Sequence, residues 1–279
     1  MKKNYLLCCA FAFLLACSPK KEKVLELPEV DGSAIKKVTS VELQNVIDDE
    51  GVQGAVLVFD PQLNQYYSND FDWTEKGQLP ASTFKITNSI IALETGVVED
   101  DSAFFEWDGE ERYLAIWEKD MYLRDAFQLS CVPCYQEVAR KIGAERMNQY
   151  LDKLNYGHMV VDSSNIDQFW LRGESKITPW EQIDFLSRLY FSKLPIEPRT
   201  EQIMKSMMLM RDKDKYQLSG KTGWSTQNDV DNGWFVGFLE KGRNVYFVAT
   251  NIEPLEGFDM DDFAKTRVDI SMKALGIVI

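Results

Sequence analysis

Gly54-Ala55-Val56-Leu57-Val58-Phe59 is an unbroken apolar run of strand length, and Asp60-Pro61-Gln62-Leu63-Asn64 supplies turn chemistry before Gln65-Tyr66-Tyr67 returns as its partner. Over residues 83–94 the pattern lengthens into a helix. Phe84, Ile86, Ile90, Ile91 and Leu93 make it apolar nearly all round, as a central buried helix requires, and Gly96 follows as a stop. Helical stretches recur at 113–121, 134–142, 145–154, 180–190 and 201–210. Strands are predicted at 216–222, 233–239 and 244–250, with Gly242 suited to a tight hairpin between the last two. Residues 261–275 read as a closing helix, with Phe263, Val268, Ile270 and Leu275 apolar.

This order predicts an α+β fold: an antiparallel sheet built from both ends of the chain, flanked by helices, with an all-helical subdomain inserted at roughly 83–200. No internal repeat is present. A doubly wound dinucleotide fold is disfavoured, because no G-x-G-x-x-G follows the first strand.

The N-terminus has a different character. Met1 to Lys3 is basic, and an apolar run of about a dozen residues from Tyr5 to Ala16 follows, too short to span a bilayer as a stable helix. It reads as a secretory signal over residues 1–16. The run ends in Leu14-Leu15-Ala16-Cys17, which is similar to a bacterial lipobox, so Cys17 is the expected lipid-carrying first residue. Cys8 and Cys9 lack the small preceding residue. Residues 17–39, polar and rich in Lys and Glu, read as the lipidated N-terminus and a tether, and 40–279 as the folded domain. The expected location is an exported bacterial lipoprotein, membrane-anchored and facing the periplasm.

Composition narrows the chemistry. The 279 residues carry 31 Lys plus Arg against 44 Asp plus Glu, a net charge of −13, which argues against a nucleic-acid partner. A single His, His158, argues against a His-built zinc site and leaves little room for a Ser-His-Asp triad, so no metal is expected. Cys131 and Cys134 have C-x-x-C spacing. They are read as two small packing residues, with an oxidised pair, a redox pair or a metal half-site as alternatives. Monomer and homodimer both fit the sequence.

Ser82-Thr83-Phe84-Lys85 places an S-x-x-K at the start of the buried helix. Three residues of helix bring the side chains within reach, so Lys85 can serve as the base that a serine nucleophile needs. Two further matches, Ser18 to Lys21 and Ser33 to Lys36, lie in the tether. Lys221-Thr222-Gly223 ends a predicted edge strand and is the only K-[ST]-G. Between them lies Ser130-Cys131-Val132, although Ser163-Ser164-Asn165 is a second match to that element. S-x-x-K, S-x-[NV] and K-[ST]-G in this order form the signature of penicillin-recognising serine enzymes.

The sequence resembles the class D, oxacillinase-type, serine β-lactamases from about residue 45 to the C-terminus. The resemblance is carried by Pro80 to Ile86, Leu93-Glu94-Thr95-Gly96-Val97, Trp107-Asp108-Gly109, Ser130-Cys131-Val132-Pro133, Tyr156-Gly157, Phe169-Trp170-Leu171 and Lys221-Thr222-Gly223. It implies hydrolysis of β-lactam substrates through an acyl-enzyme on Ser82, giving antibiotic resistance. No separate cofactor is implied: CO₂ carboxylates Lys85 to a carbamate, which acts as general base and accepts the Trp170 indole N–H. Ser130 would pass a proton to the leaving nitrogen, and the N–H groups of Ser82 and Trp224 would form the oxyanion hole. Lys221, Thr222 and Arg267 would hold the substrate carboxylate, with Gly223 allowing close approach. Val132, Leu171, Tyr156 and His158 form the supporting shell. Two departures stand out: His158 replaces the usual Asn of Tyr-Gly-Asn, and Cys131 replaces a small apolar residue. The alternative is a β-lactam sensor or penicillin-binding protein of the same fold that acylates without efficient turnover.

Overall fold

The computed structural model describes residues 35–279. The signal, the lipid attachment at Cys17 and residues 17–34 of the tether lie outside the described residues. The strands are β1 Lys36–Thr39, β2 Val52–Asp60, β3 Gln65–Ser68, β4 Phe104–Phe105, β5 Met121–Tyr122, β6 Leu209–Lys213, β7 Tyr216–Gln227, β8 Val230–Lys241 and β9 Asn244–Pro254. The helices are α1 Val41–Asp49, α2 Phe71–Thr74, α3 Lys85–Glu94, α4 Leu123–Gln128, α5 Val132–Ile142, α6 Ala144–Leu154, α7 Pro179–Tyr190, α8 Pro198–Met208 and α9 Phe263–Val278.

Seven strands form one sheet in the order β1-β3-β2-β9-β8-β7-β6, so both ends of the chain contribute, as the α+β reading expects. The pleat sends alternate residues to opposite faces. On β2, β8 and β9, Leu57, Phe59, Trp234, Val236, Phe238, Val245, Phe247 and Ala249 enter a core shared with the helical block. Their neighbours Val56, Val58, Phe235, Val248 and Ile252 enter a second core under α1 and α9, with Leu43, Ile47, Ile270 and Leu275. Three layers result, and the site forms where the helical block meets the sheet.

Several expectations need correction. The sheet is mixed, because β1 pairs parallel with β3. Lys36–Thr39, read as the end of the tether, is therefore an edge strand; its mostly exposed polar side chains give no alternating signal. The helix expected at 113–121 is only a 3-10 turn at Ala115–Trp117. Side chains take the local backbone donors there: Trp107 N–H goes to Asp120 and Arg112 N–H to Glu118. Leu209 and Met210, read as helical, belong to β6, an exposed strand. Cys131 and Cys134, read as packing residues, are joined by a disulfide. The β7–β8 hairpin runs further than expected because Asn228 and Asp229, at φ 54° and 60°, make its turn.

Candidate active site

Ser82, the predicted nucleophile, sits in a 3-10 turn, Ala81–Phe84, that leads into α3. Ala81 adopts φ 49°, a left-handed conformation disfavoured by its Cβ. Neighbouring bonds hold this strain. Ala81 N–H donates to the Trp170 carbonyl at 2.8 Å. Thr83 Oγ1 donates to Pro80 O at 2.6 Å and accepts from Gln182 Nε2 at 2.9 Å.

Lys85 opens α3 and is 1% exposed. Its Nζ donates to Ser82 Oγ at 2.9 Å, so the predicted nucleophile and base are in direct contact. The face of the Tyr135 ring lies 5.2 Å from Nζ. Burial, chiefly, and the nearby Lys221 charge hold the Lys85 amine well below the ordinary lysine range. Burial of this kind favours the uncharged form of the amine, the form that can accept a proton.

Ser130 and Lys221 form the second pair. Lys221 Nζ donates to Ser130 Oγ at 2.5 Å. Burial and Arg267 bring the Lys221 amine down from 10.5 to about 7. The expectation that Lys221 ends an edge strand holds in part. β6 covers β7 only as far as Ser219, and beyond it the outer edge of β7 packs on the Ser82 turn. A Cβ on Gly223 would lie 3.2 Å from Pro80 O and 3.3 Å from the Ala81 Cβ, so glycine permits this approach.

Arg267 lies in the first turns of α9, as expected, and is 4% exposed. Its Nε donates to Phe263 O at 3.0 Å and its Nη1 donates to the Gly223 carbonyl. Burial lowers the guanidinium to about 10, which leaves it charged at neutral pH. Thr222 is half-buried beside Lys221. The Trp224 indole is exposed and donates to Asp231 at 2.7 Å.

Trp170 is fully buried and stacks on Phe84 at 5.6 Å between centroids. Its carbonyl holds Ala81, yet its indole N–H has no hydrogen-bond partner among the described residues. A buried donor without an acceptor is costly, about 1–3 kcal/mol, and marks a place where an acceptor belongs. Val132 and Leu171 pack on the same core. Tyr156 is buried edge-on to Phe185 at 4.9 Å, and burial raises its hydroxyl above the ordinary range. His158 differs: its side chain is exposed, and its main chain pairs with Lys176 at 2.8 and 2.7 Å.

Sequence reasoning missed three contributors. Gln182 pins the Ser82 turn. Tyr135 faces Lys85, and its position in the helix after the Ser130 element was the available signal. Gly233 makes room for Arg267, since a Cβ there would lie 2.7 Å from the Arg267 Cδ. The disulfide beside Ser130 stood in the sequence only as an alternative to packing.

A family model described as the penicillin binding protein transpeptidase domain matches residues 53–266. Beta-lactamase OXA-48 of Klebsiella pneumoniae is 42% identical over 201 residues, covering 72% of this chain and 76% of that protein. Beta-lactamase OXA-10 of Pseudomonas aeruginosa is 39% identical over 207 residues, 73% of this chain and 77% of that one. The solved structure of the class D beta-lactamase from Sebaldella termitidis superposes with a TM-score of 0.83 at 35% identity, covering 88% of this chain and 98% of that chain. That of the class D beta-lactamase YbXI from Nostoc gives 0.80 at 41% identity, covering 85% and 99%.

Proposed function

This chain belongs to the class D β-lactamases, which are serine hydrolases, and on that premise we propose that it opens the β-lactam ring of penicillin-type antibiotics through an acyl-enzyme on Ser82, so conferring resistance. The observation that carries this reading is the buried Lys85 amine 2.9 Å from Ser82 Oγ.

A carboxyl group added to the Lys85 amine by CO₂ suits this environment. Burial shifts the amine toward its uncharged form, the form that reacts with CO₂, and the Trp170 N–H is a buried donor lacking an acceptor among the described residues. Lys85 and Trp170 would hold the group, which supplies an oxygen base of ordinary carboxylate type.

The remaining chemistry follows from the chain's own groups. Ser82 Oγ attacks the lactam carbonyl carbon as its proton leaves toward the Lys85 side chain. The main-chain N–H groups of Ser82 and Trp224 are assigned to the oxyanion, each worth about 3 kcal/mol. The carbon–nitrogen bond then breaks. Ser130 gives its proton to the departing nitrogen, and Lys221, already donating to Ser130, replaces it. Lys221, Thr222 and Arg267 hold the substrate carboxylate. The proton taken from Ser82 passes from the base at Lys85 to solvent and Lys221 regains one; water then attacks the ester, gives its proton to the freed base, and that proton goes to Ser82 Oγ as the ester bond breaks.

The test is penicillin hydrolysis by the detergent-solubilised full chain, followed spectrophotometrically, with mass spectrometry of Ser82. Turnover with a transient adduct supports hydrolysis. A lasting adduct without turnover supports the sensor reading instead.

We further propose that Cys17 anchors the enzyme as an exported lipoprotein facing the periplasm. Leu14-Leu15-Ala16-Cys17 supports this. Among the described residues, no helix is long and apolar enough to cross a membrane.

A further inference from the structure

The Ser130 backbone is at φ 54°, in the left-handed region. The hydrogen bonds around it explain why. Cys131 N–H donates to Ala126 O at 2.8 Å and Ser130 N–H to Phe127 O at 3.2 Å. This is the Schellman pattern that ends α4, and Ser130 occupies the left-handed position usually taken by glycine. A residue with a Cβ is disfavoured there, so the conformation persists only if both flanks are held.

The α4 flank is held by ordinary bonds. Trp117 Nε1 donates to Leu129 O at 3.0 Å, and Gln128 Nε2 donates to Met207 O at 2.5 Å. The α5 flank is held differently. Cys131 is the N-cap of α5, and its sulfur accepts the Cys134 N–H at 3.2 Å. Sulfur is a weak acceptor compared with the oxygen of the usual Ser, Thr, Asn or Asp cap. The same sulfur is bonded covalently to Cys134. A disulfide closing so short a loop restricts the unfolded chain little, because that effect grows with loop length. Its main consequence is local.

We infer that the Cys131–Cys134 disulfide is a positioning element for proton transfer: by clamping the first turn of α5 it holds Ser130 in the left-handed conformation that delivers its hydroxyl to Lys221. The inference rests on the role proposed above for Ser130 as donor to the leaving nitrogen. That role belongs to acylation, so the disulfide governs acylation and not deacylation. A pocket of about 270 Å³ lined by Trp107, Trp117, Cys131, Pro133, Cys134 and Arg140 borders the bond.

The test uses the full chain in detergent. A phosphine or dithiol reductant supplies two electrons, solvent supplies two protons, and the bond becomes two thiols. Alkylation and peptide mapping verify that both residues have opened. Stopped-flow acylation and deacylation by a chromogenic β-lactam are then measured with far-ultraviolet dichroism. The expected result is a loss in acylation rate of about 10- to 100-fold, the scale of a small misplacement of a reacting group. Deacylation and helicity stay within about twofold of their starting values, and reoxidation restores the rate. The Cys131→Ala/Cys134→Ala double variant, which removes the bond without adding an oxygen cap, gives the same split. Acylation unchanged on reduction, or both steps falling together, overturns the positioning role alone. An oxidised protein with no hydrolysis overturns the functional reading and this inference with it.

Discussion

Lys221 on β7 and Ser130, in the link between α4 and α5, lie 91 residues apart in sequence, yet the Lys221 ammonium donates to the Ser130 hydroxyl at 2.5 Å. With the Lys221 amine lowered to about 7, it gains and loses a proton near neutral pH, so it can return one to Ser130 once that hydroxyl has given its own to the leaving nitrogen. Ser130 thereby becomes a replenished donor.

Ser130→Ala removes that donor and leaves Ser82 and Lys85 in contact. The expected loss in kcat/KM is about 10²- to 10⁴-fold, the usual worth of a positioned acid or base. Burst kinetics should assign the loss to acylation, and mass spectrometry should still find the slow adduct on Ser82.

Burial of Lys221 also makes stability depend on pH. In CO₂-free buffer the folded amine at about 7 is neutral where the unfolded amine, near 10.5, is still protonated. The unfolded state therefore binds the extra proton between about pH 7 and 10.5. Stability rises with pH across that window, by about 1.4 kcal/mol per unit for one group, and falls as pH drops toward 7. Melting temperatures from pH 7.5 to 9.5 should climb, and Lys221→Met should flatten the climb.

Arg267→Leu tests the carboxylate site. Loss of a charge-assisted contact worth about 1.5–3 kcal/mol should raise KM roughly 10- to 150-fold with kcat little changed. A penicillin ester, which lacks the carboxylate, should not distinguish the variant from the parent.

How far such contacts were legible in the sequence depended on what encodes them. The apolar run at Gly54 to Phe59 and the nearly all-apolar α3 report burial directly, so the central sheet and the Ser82 helix were readable. Ser82, Lys85, Ser130 and Lys221 stand in motifs of fixed spacing, and the structure brings each pair together. β1 and β6 carried no such signal, being short, polar and exposed edge strands. The stretch with Tyr113, Leu114 and Ile116 misled because it leaves apolar residues exposed. Gln182 and Gly233 act across long sequence separations, where spacing conveys nothing. The C-x-x-C spacing fits packing, a metal or a bond equally well, and only the geometry of the α5 turn decided it.

Cys17 lies outside the described residues, and its proposed role is tested in cells. Cys17→Ala should leave β-lactamase activity intact and move it from the membrane fraction to the soluble fraction after lysis. Activity that stays with the membrane rejects the lipid anchor.

The central claim is that the buried Lys85 amine, 2.9 Å from Ser82 Oγ, becomes a carboxylated base. Carbon-13 NMR of the enzyme equilibrated with labelled bicarbonate measures this directly. The account predicts one carbamate carbon resonance that rises and falls with activity as CO₂ is added and removed, is absent in Lys85→Ala, and is weakened in Trp170→Phe unless bicarbonate is raised. Full hydrolytic activity in enzyme showing no carbamate resonance would contradict it.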